Sequence, residues 1–163
     1  MKRVRRQTPP GKFEDPLSNY NEPEFDDEME QSLLQDEISK VMTYQPFKTV
    51  KSDTTVLDAM KIMSELDIAC LMVTENDRLV GMFSERDVLY KVVEDFDKAS
   101  KLPIKDLMTP DPIVVYETDC PAKALNQMAI GGFRHVPVLT VDDRIAGILG
   151  PRRVVKYVEK HLH

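Results

Sequence analysis

A serine and an aspartate follow a short apolar strand at a point where a helix is predicted to begin. The strand spans residues 79–83, and Ser84 and Asp87 occupy the first turn of the helix after it. The positive end of a helix dipole and its free backbone N–H groups favour an anion, and the Ser84 hydroxyl adds a donor. The same pair also fits a capping box, in which Asp87 bonds back to the capping serine. The sequence therefore leaves two interpretations open, a binding site and a helix cap.

The chain carries this arrangement twice, with an offset of 66 residues and without a gap. A second apolar strand at 145–149 is again followed by a helix start, here at Gly150 and Pro151. An alignment of this length on one diagonal is rare by chance, so we predict two copies of one structural unit. The offset aligns Ile38 with Ile104, Met42 with Met108, Asp53 with Asp119, and Gly81 with Gly147.

Composition limits the classes of function. The net charge of −6 is concentrated in residues 1–37, which hold five basic and ten acidic residues and leave the remainder close to neutral. A near-neutral core argues against a broad nucleic-acid surface. No apolar run reaches the roughly 18 residues of a membrane span, and no signal peptide is recognisable. Cys70 and Cys120 are placed as isolated thiols, so we expect a cytoplasmic protein.

The order of predicted elements is strand, helix, strand, strand, helix, and it occurs twice. Residues 1–27 show no periodicity and are predicted to be a disordered acidic tail, either solubilising or partner-binding. A helix over 27–41 leads into the first repeat, so we assign 28–97 to the leading helix and repeat one. Residues 98–103 form a linker, and 104–163 form repeat two. Both repeats are expected to share one core, since each is too small to be stable alone.

Several motifs together resemble a tandem pair of CBS domains, also called a Bateman module, over residues 38–160. They are the repeated unit order, the Met-Thr pairs at 42–43 and 108–109, Gly-x-x-Ser-x-x-Asp at 81–87, and Phe-Arg-His-Val-Pro-Val at 133–138. The resemblance implies an α/β (α+β) fold of two β-α-β-β-α units packed by pseudo-two-fold symmetry. It also implies a regulatory module that forms homodimers and has two clefts, which in many members bind adenosine-containing ligands.

The resemblance assigns roles to residues of the first cleft. Asp87 would accept hydrogen bonds from both ribose hydroxyls, and Ser84 would lie beside the phosphate. Basic residues of the second unit would approach the same phosphate, with Arg152 as a further cation, and an apolar slot would hold the adenine. The full predicted set is Ser84, Asp87, Met82, Ile113, Val114, Arg134, His135, Pro137 and Arg152.

The second cleft departs from this pattern. Where the first copy has its aspartate the second has Arg153, and the serine is replaced by Gly150. The basic pair is lost as well, because the first copy has Ile68 and Ala69 at those positions. We therefore expect one working site per chain.

The ligand and the partner stay open at this stage. AMP, ADP or ATP is the expected ligand, with NAD and S-adenosylmethionine as alternatives and no obligatory cofactor or metal. The residues contain none of the usual catalytic motifs, so we expect a sensor that acts on an unknown effector protein rather than an enzyme. The competing hypothesis is a ligand-independent interaction or dimerisation module with vestigial clefts, and nucleic-acid binding is disfavoured by the charge balance.

Overall fold

The computed structural model describes residues 28–42 and 47–160. The segment predicted to be a disordered tail, residues 1–27, lies outside the described residues, as do 43–46 and 161–163. The predicted α/β class is confirmed, since the chain forms two mixed sheets with helices packed on them. Within the described ranges, no helix has the length and apolar character needed to cross a bilayer.

The segment before the first sheet forms two short helices instead of the single helix predicted over 27–41. They are α1 (Glu28–Gln35) and α2 (Ile38–Val41). The break follows from a competing hydrogen bond, because the N–H of Ile38 donates to the carbonyl of Asp119 in the second unit at 2.8 Å. The next N–H, of Ser39, also donates to that loop. These donors are therefore not available to continue α1.

The first unit contains the larger sheet. Its elements are β1 (Thr49–Lys51), α3 (Val56–Leu66), β2 (Cys70–Glu75) and β3 (Arg78–Ser84). β1 runs parallel to β2, and β2 is antiparallel to β3. The turn between β2 and β3 places Asn76 and Asp77 at φ of 48° and 61°, the left-handed conformation of a two-residue hairpin turn.

The helix that closes the first unit, predicted to begin at Ser84, is irregular. It consists of α4 (Glu85–Asp87), a π-helical turn (Val88–Val92), a 3₁₀ turn (Val93–Asp95) and α5 (Phe96–Ala99). Residues 100–103 then lead from α5 to the 3₁₀ turn at Ile104–Asp106. This connection is packed, because the carbonyls of Ser100 and Leu102 accept hydrogen bonds from the first turn of α3.

The second unit repeats the order with shorter strands. After a 3₁₀ turn (Ile104–Asp106) come β4 (Thr109–Pro110), β5 (Val115–Tyr116), α6 (Pro121–Gly131), β6 (Val136–Leu139), β7 (Ile145–Leu149) and α7 (Pro151–Glu159). β5 is parallel to β6, and β6 is antiparallel to β7. Pro121 and Pro151 occupy the first turns of their helices, where a missing N–H costs nothing.

Each unit sends its leading segment into the other unit. These exchanged segments are residues 38–42, before the first sheet, and residues 104–113, before the second. β4 precedes the second sheet but pairs with β3 of the first, and Ile104 is fully buried in the first core. Reciprocally, Ile38 and Val41 precede the first sheet but are buried in the second core. The single shared core that was expected is therefore two cores. Neither is complete without residues of the other repeat, so the two units depend on each other for stability.

A methionine of each exchanged segment lies against a glycine of the receiving sheet. A Cβ atom at Gly81 would lie 2.2 Å from Sδ of Met108, and one at Gly147 would lie 2.4 Å from Cε of Met42. Both distances are far below van der Waals contact, so the methionines pack directly on the glycine backbone. This packing gives a physical reason for the methionine and glycine identities in the repeat.

Substitution of Gly81 tests this packing. Gly81→Ala should lower the free energy of unfolding by about 1–2 kcal/mol, because Met108 must leave its position or strain the sheet. Urea denaturation of this variant, of Met108→Ala and of the double variant should give losses that are less than additive, since the two residues are in contact. An unchanged midpoint for Gly81→Ala would mean that Met108 moves aside without cost.

Candidate ligand-binding cleft

A cleft of about 790 Å³ lies between the two units. The first unit contributes the end of β3 and the start of α4, and the second contributes the residues that follow α6. The exchanged segment around β4 forms a third wall. Six of the nine predicted residues line this cleft: Met82, Ser84, Asp87, Ile113, Arg134 and His135.

The other three predicted residues lie outside the lining. Val114 is half-buried next to Ile113, and Pro137 is buried in β6 opposite Ile148 of β7. Arg152 is exposed on the first turn of α7. Its counterpart in the first repeat, Arg86, lies in the cleft instead. The 66-residue offset between these two arginines was the signal in the sequence that could have identified Arg86.

Asp87 is the most constrained polar group of the cleft. Its side chain is 7% exposed, and its Oδ2 accepts hydrogen bonds from the Ser84 N–H at 2.9 Å and from the Ser84 hydroxyl at 2.8 Å. Its Oδ1 accepts from Nζ of Lys91 at 2.7 Å and from the Thr109 hydroxyl at 3.2 Å. Ser84 and Asp87 therefore form the capping box that the sequence allowed. The carboxylate also joins β3, the closing helix and the exchanged segment.

Positive charge enters the cleft from both units. Arg86 on α4 donates from Nη1 to the carbonyl of Gly132 at 2.9 Å, a hydrogen bond that connects the two walls. Arg134 is exposed, and within the described part of the chain no carboxylate lies at ion-pair distance from it. Arg134 is thus the cation best able to receive an anionic ligand. Glu85 and Asp111 add negative charge to the same lining.

His135 is half-buried, and its surroundings disfavour the imidazolium. Burial lowers the pKa of His135 below its ordinary value; the carboxylate of Glu85 opposes this shift, and Arg134 reinforces it. The imidazole also lies against Gly150, where a Cβ atom would be 3.0 Å from Cδ2. A bound anion would reverse the shift of the pKa, because it would stabilise the protonated ring.

Cys70 also lines the cleft, and its thiol has low reactivity. Burial, followed by the negative charge of Glu85, raises the pKa of Cys70 to about 12. A thiol with such a pKa is almost entirely protonated at neutral pH and is a poor nucleophile. Among the described residues no group of three or more His, Cys, Asp or Glu side chains is placed to hold a metal ion.

The corresponding region of the second unit has the opposite charge. Arg153, the counterpart of Asp87, donates from Nη1 to Sδ of Met42 at 3.8 Å. Its Nη2 is buried and makes no hydrogen bond to the part of the chain that the structure describes, and burial lowers the pKa of the guanidinium. A carboxylate that could accept ribose hydroxyls is therefore missing at this position.

Comparison with known proteins gives a consistent family match. The family model described as "CBS domain" matches residues 38–94 and 104–160. The Arabidopsis thaliana "CBS domain-containing protein CBSCBSPB1" is 30% identical over 99 residues, which are 60% of this chain and 18% of that protein. The chain thus spans about a fifth of the length of the first curated relatives it matches.

Solved structures share the whole two-unit architecture. A protein with CBS domains from Burkholderia ambifaria superimposes with a TM-score of 0.71 at 25% identity, over 78% of this chain and 97% of that one. The protein CBSX2, crystallised in complex with AMP, superimposes with a TM-score of 0.66 at 30% identity, over 76% of this chain and 96% of that one.

The contacts of Asp87 predict a structural role in addition to any binding role. Asp87→Ala should lower the free energy of unfolding by about 1–3 kcal/mol, because it removes the acceptor of four hydrogen bonds, one of them from a backbone N–H. Asp58→Ala is the matched control, since Asp58 also bonds to its capping residue, Thr55, but is 57% exposed. Chemical denaturation should show the larger loss at position 87, and equal losses would contradict this assignment.

Proposed function

Because the chain belongs to the CBS domain family, with both repeats matched, we propose that it is a regulatory module that binds an adenosine nucleotide between its two units. The candidate ligands are AMP, ADP and ATP, with NAD and S-adenosylmethionine as alternatives. One observation carries the proposal: the cleft combines a buried carboxylate from one unit, Asp87, with an exposed arginine from the other, Arg134, which has no ion-pair partner among the described residues. These two groups match the ribose and the phosphate of a nucleotide.

The wall formed by the first unit suits a ribose. Asp87 is a carboxylate with two oxygens, and such a group can accept hydrogen bonds from adjacent hydroxyls of a diol. Ser84 lies next to it with a hydroxyl that can turn toward a ligand. In this proposal Asp87 selects ribose, and Ser84 contacts the phosphate side of the sugar.

The wall formed by the second unit suits a phosphate. Arg134 supplies a planar guanidinium that can form two parallel hydrogen bonds to phosphate oxygens. His135 adds a second donor when the anion is bound. Arg152, predicted as a third cation, lies outside the cleft lining, so we propose Arg86 for that position.

The remaining surface suits an aromatic base. Met82 and Ile113 provide apolar contacts, and Ile113 is 48% exposed, a large fraction for such a residue. The cleft volume falls within the roughly 300–1,000 Å³ typical of small-ligand sites. The AMP complex of CBSX2, a neighbour of similar fold, supports a nucleotide as the ligand class.

The effector in this proposal is another protein, and the module acts as a homodimer in the cytoplasm. Three apolar side chains on the closing helix of the first unit, Leu89, Tyr90 and Val93, are 62%, 69% and 60% exposed. Such side chains offer a surface for a second copy or for the effector. A ligand can regulate this contact only through a different affinity for two arrangements of the units.

A ligand-independent interaction module is the second candidate. It is favoured by the hydrogen bonds of Asp87, since both oxygens already have two partners within the chain. In that case the carboxylate serves the fold alone. Calorimetric titration with nucleotides distinguishes this function from nucleotide binding.

Calorimetric titration with AMP, ADP, ATP, NAD and S-adenosylmethionine tests the proposed function. We expect saturable binding of one of them at one per chain. Arg134→Gln should weaken the binding about tenfold, because it removes a charge-assisted contact to phosphate. Arg144→Gln is the control, since Arg144 is an exposed arginine in the turn before β7, away from the cleft. Absence of heat with all five ligands would favour the interaction module.

His135 gives a prediction about pH. Its pKa is lowered in the structure, and a bound phosphate should raise it, so its contribution to affinity is largest below the lower pKa. The contribution disappears as the pH rises through the higher pKa of the complex. We therefore compare the AMP dissociation constant of His135→Gln with that of the wild type. The ratio of the two should be near 1 at about pH 8 and roughly threefold to tenfold at about pH 5.5. The same phosphate titrates in both proteins, so its ionisation cancels, and a pH-independent ratio would contradict the role of His135.

A further inference from the structure

Lys91 occupies the oxygen of Asp87 that a ribose would need. It lies one helical turn after Asp87, and its Nζ is 2.7 Å from Oδ1. The same oxygen accepts the Thr109 hydroxyl at 3.2 Å, while Oδ2 accepts both donors of Ser84. An ionised carboxylate offers about four acceptor positions, and the chain itself fills all of them.

The ammonium of Lys91 is held by more than its carboxylate partner. Its Nζ also donates to the carbonyl of Leu107 at 2.8 Å and lies 3.5 Å from the carbonyl of Met108. Both carbonyls belong to the exchanged segment that leads into β4. The Lys91 side chain is 39% exposed, so its ammonium can move away from Asp87 into solvent and be hydrated there.

Breaking the hydrogen bonds at Oδ1 should cost less free energy than breaking those at Oδ2. The Ser84 N–H bond at Oδ2 is part of the helix cap, and breaking it would leave a backbone donor without its partner. Lys91 and Thr109 lie on the solvent side, and Thr109 is exposed. A ribose hydroxyl can therefore bind Asp87 with the smallest loss of free energy at Oδ1, where it displaces Lys91.

We propose that Lys91 is a built-in competitor of the ligand: its ammonium holds the ribose-binding carboxylate, and a nucleotide must displace it to bind. This inference rests on the proposed nucleotide function. It makes Lys91 a residue that sets affinity and the preference for ribose, although it does not line the cleft. Binding would also release Asp87 from the exchanged segment and so transmit the presence of ligand to the contact between the units.

Removal of the competing charge should tighten nucleotide binding. Lys91→Met keeps the aliphatic stem, and we expect it to bind AMP roughly twofold to fivefold more tightly than wild type, the range for a partly exposed ion pair. Lys91→Gln should show the same direction and can still donate to the Leu107 carbonyl, which protects the test if the methionine variant folds poorly. Lys91→Arg should retain wild-type affinity.

Two controls make the result specific. The ion pair between Lys123 and Asp119 has the same length, 2.7 Å, and the same spacing in the chain, but it lies away from the cleft. Lys123→Met removes it and should leave the affinity for AMP unchanged. The affinity for 2′,3′-dideoxy-AMP should not respond to Lys91→Met, because that ligand has no hydroxyls to compete for Asp87. The ¹⁵N resonance of the Lys91 ammonium should shift on addition of AMP and not of the dideoxy analogue.

The outcomes distinguish the two proposals. If wild type binds AMP and the Lys91 variants bind it equally or more weakly, the competitor role is wrong and the nucleotide function stands. An equal gain for AMP and the dideoxy analogue would also overturn the role, because the effect would then not concern the ribose. If neither wild type nor any Lys91 variant binds AMP, ADP, ATP, NAD or S-adenosylmethionine, the nucleotide function fails and the inference fails with it.

Discussion

The exchange of leading segments between the two units is the constraint on which the cleft depends. Because Ile104 completes the first core and Ile38 the second, the units cannot separate without opening both cores. The exchanged residues also build part of the site, since Thr109 reaches Asp87 and Ile113 borders the cleft. Stability and binding therefore share the same contacts. A change in how the exchanged segment is held must affect both the cleft and the relative position of the units.

The asymmetry between the repeats has a steric as well as an electrostatic side. In the first unit the main chain at Ala69 accepts a hydrogen bond from the Glu85 N–H at 3.0 Å. At the matching place in the second unit stands His135, whose ring lies against Gly150. A serine at 150 would place its Cβ within 3.0 Å of that ring. A serine at position 150 therefore requires the His135 ring to shift by a few tenths of an ångström, a constraint that glycine avoids.

The repeat made most of the fold predictable, because glycine, proline and apolar alternation report local constraints that the chain obeys in each unit. The tandem CBS architecture and the α/β class were predicted correctly. The division of the leading helix at residue 37 was not, since its cause is a hydrogen bond from Ile38 to a loop more than 80 residues away. Arg86 was missed although the 66-residue offset pairs it with Arg152, the arginine that was predicted instead. Lys91 was missed because its role depends on contacts with the carbonyls of Leu107 and Met108, which sequence spacing does not determine.

The two interpretations of Ser84 and Asp87 need not exclude each other. A carboxylate that caps a helix through Oδ2 keeps Oδ1 for other partners, and the chain fills that oxygen with a lysine and a threonine. Hydration of the displaced Lys91 ammonium offsets part of the cost of displacement, while Ser84 and the hydroxyls of a ligand would keep the carboxylate hydrogen-bonded. A capped and paired aspartate is thus a stable acceptor that can still exchange one partner for a ligand. In the proposed arrangement the fold orients the carboxylate, and the affinity for ribose depends on how tightly Lys91 holds it.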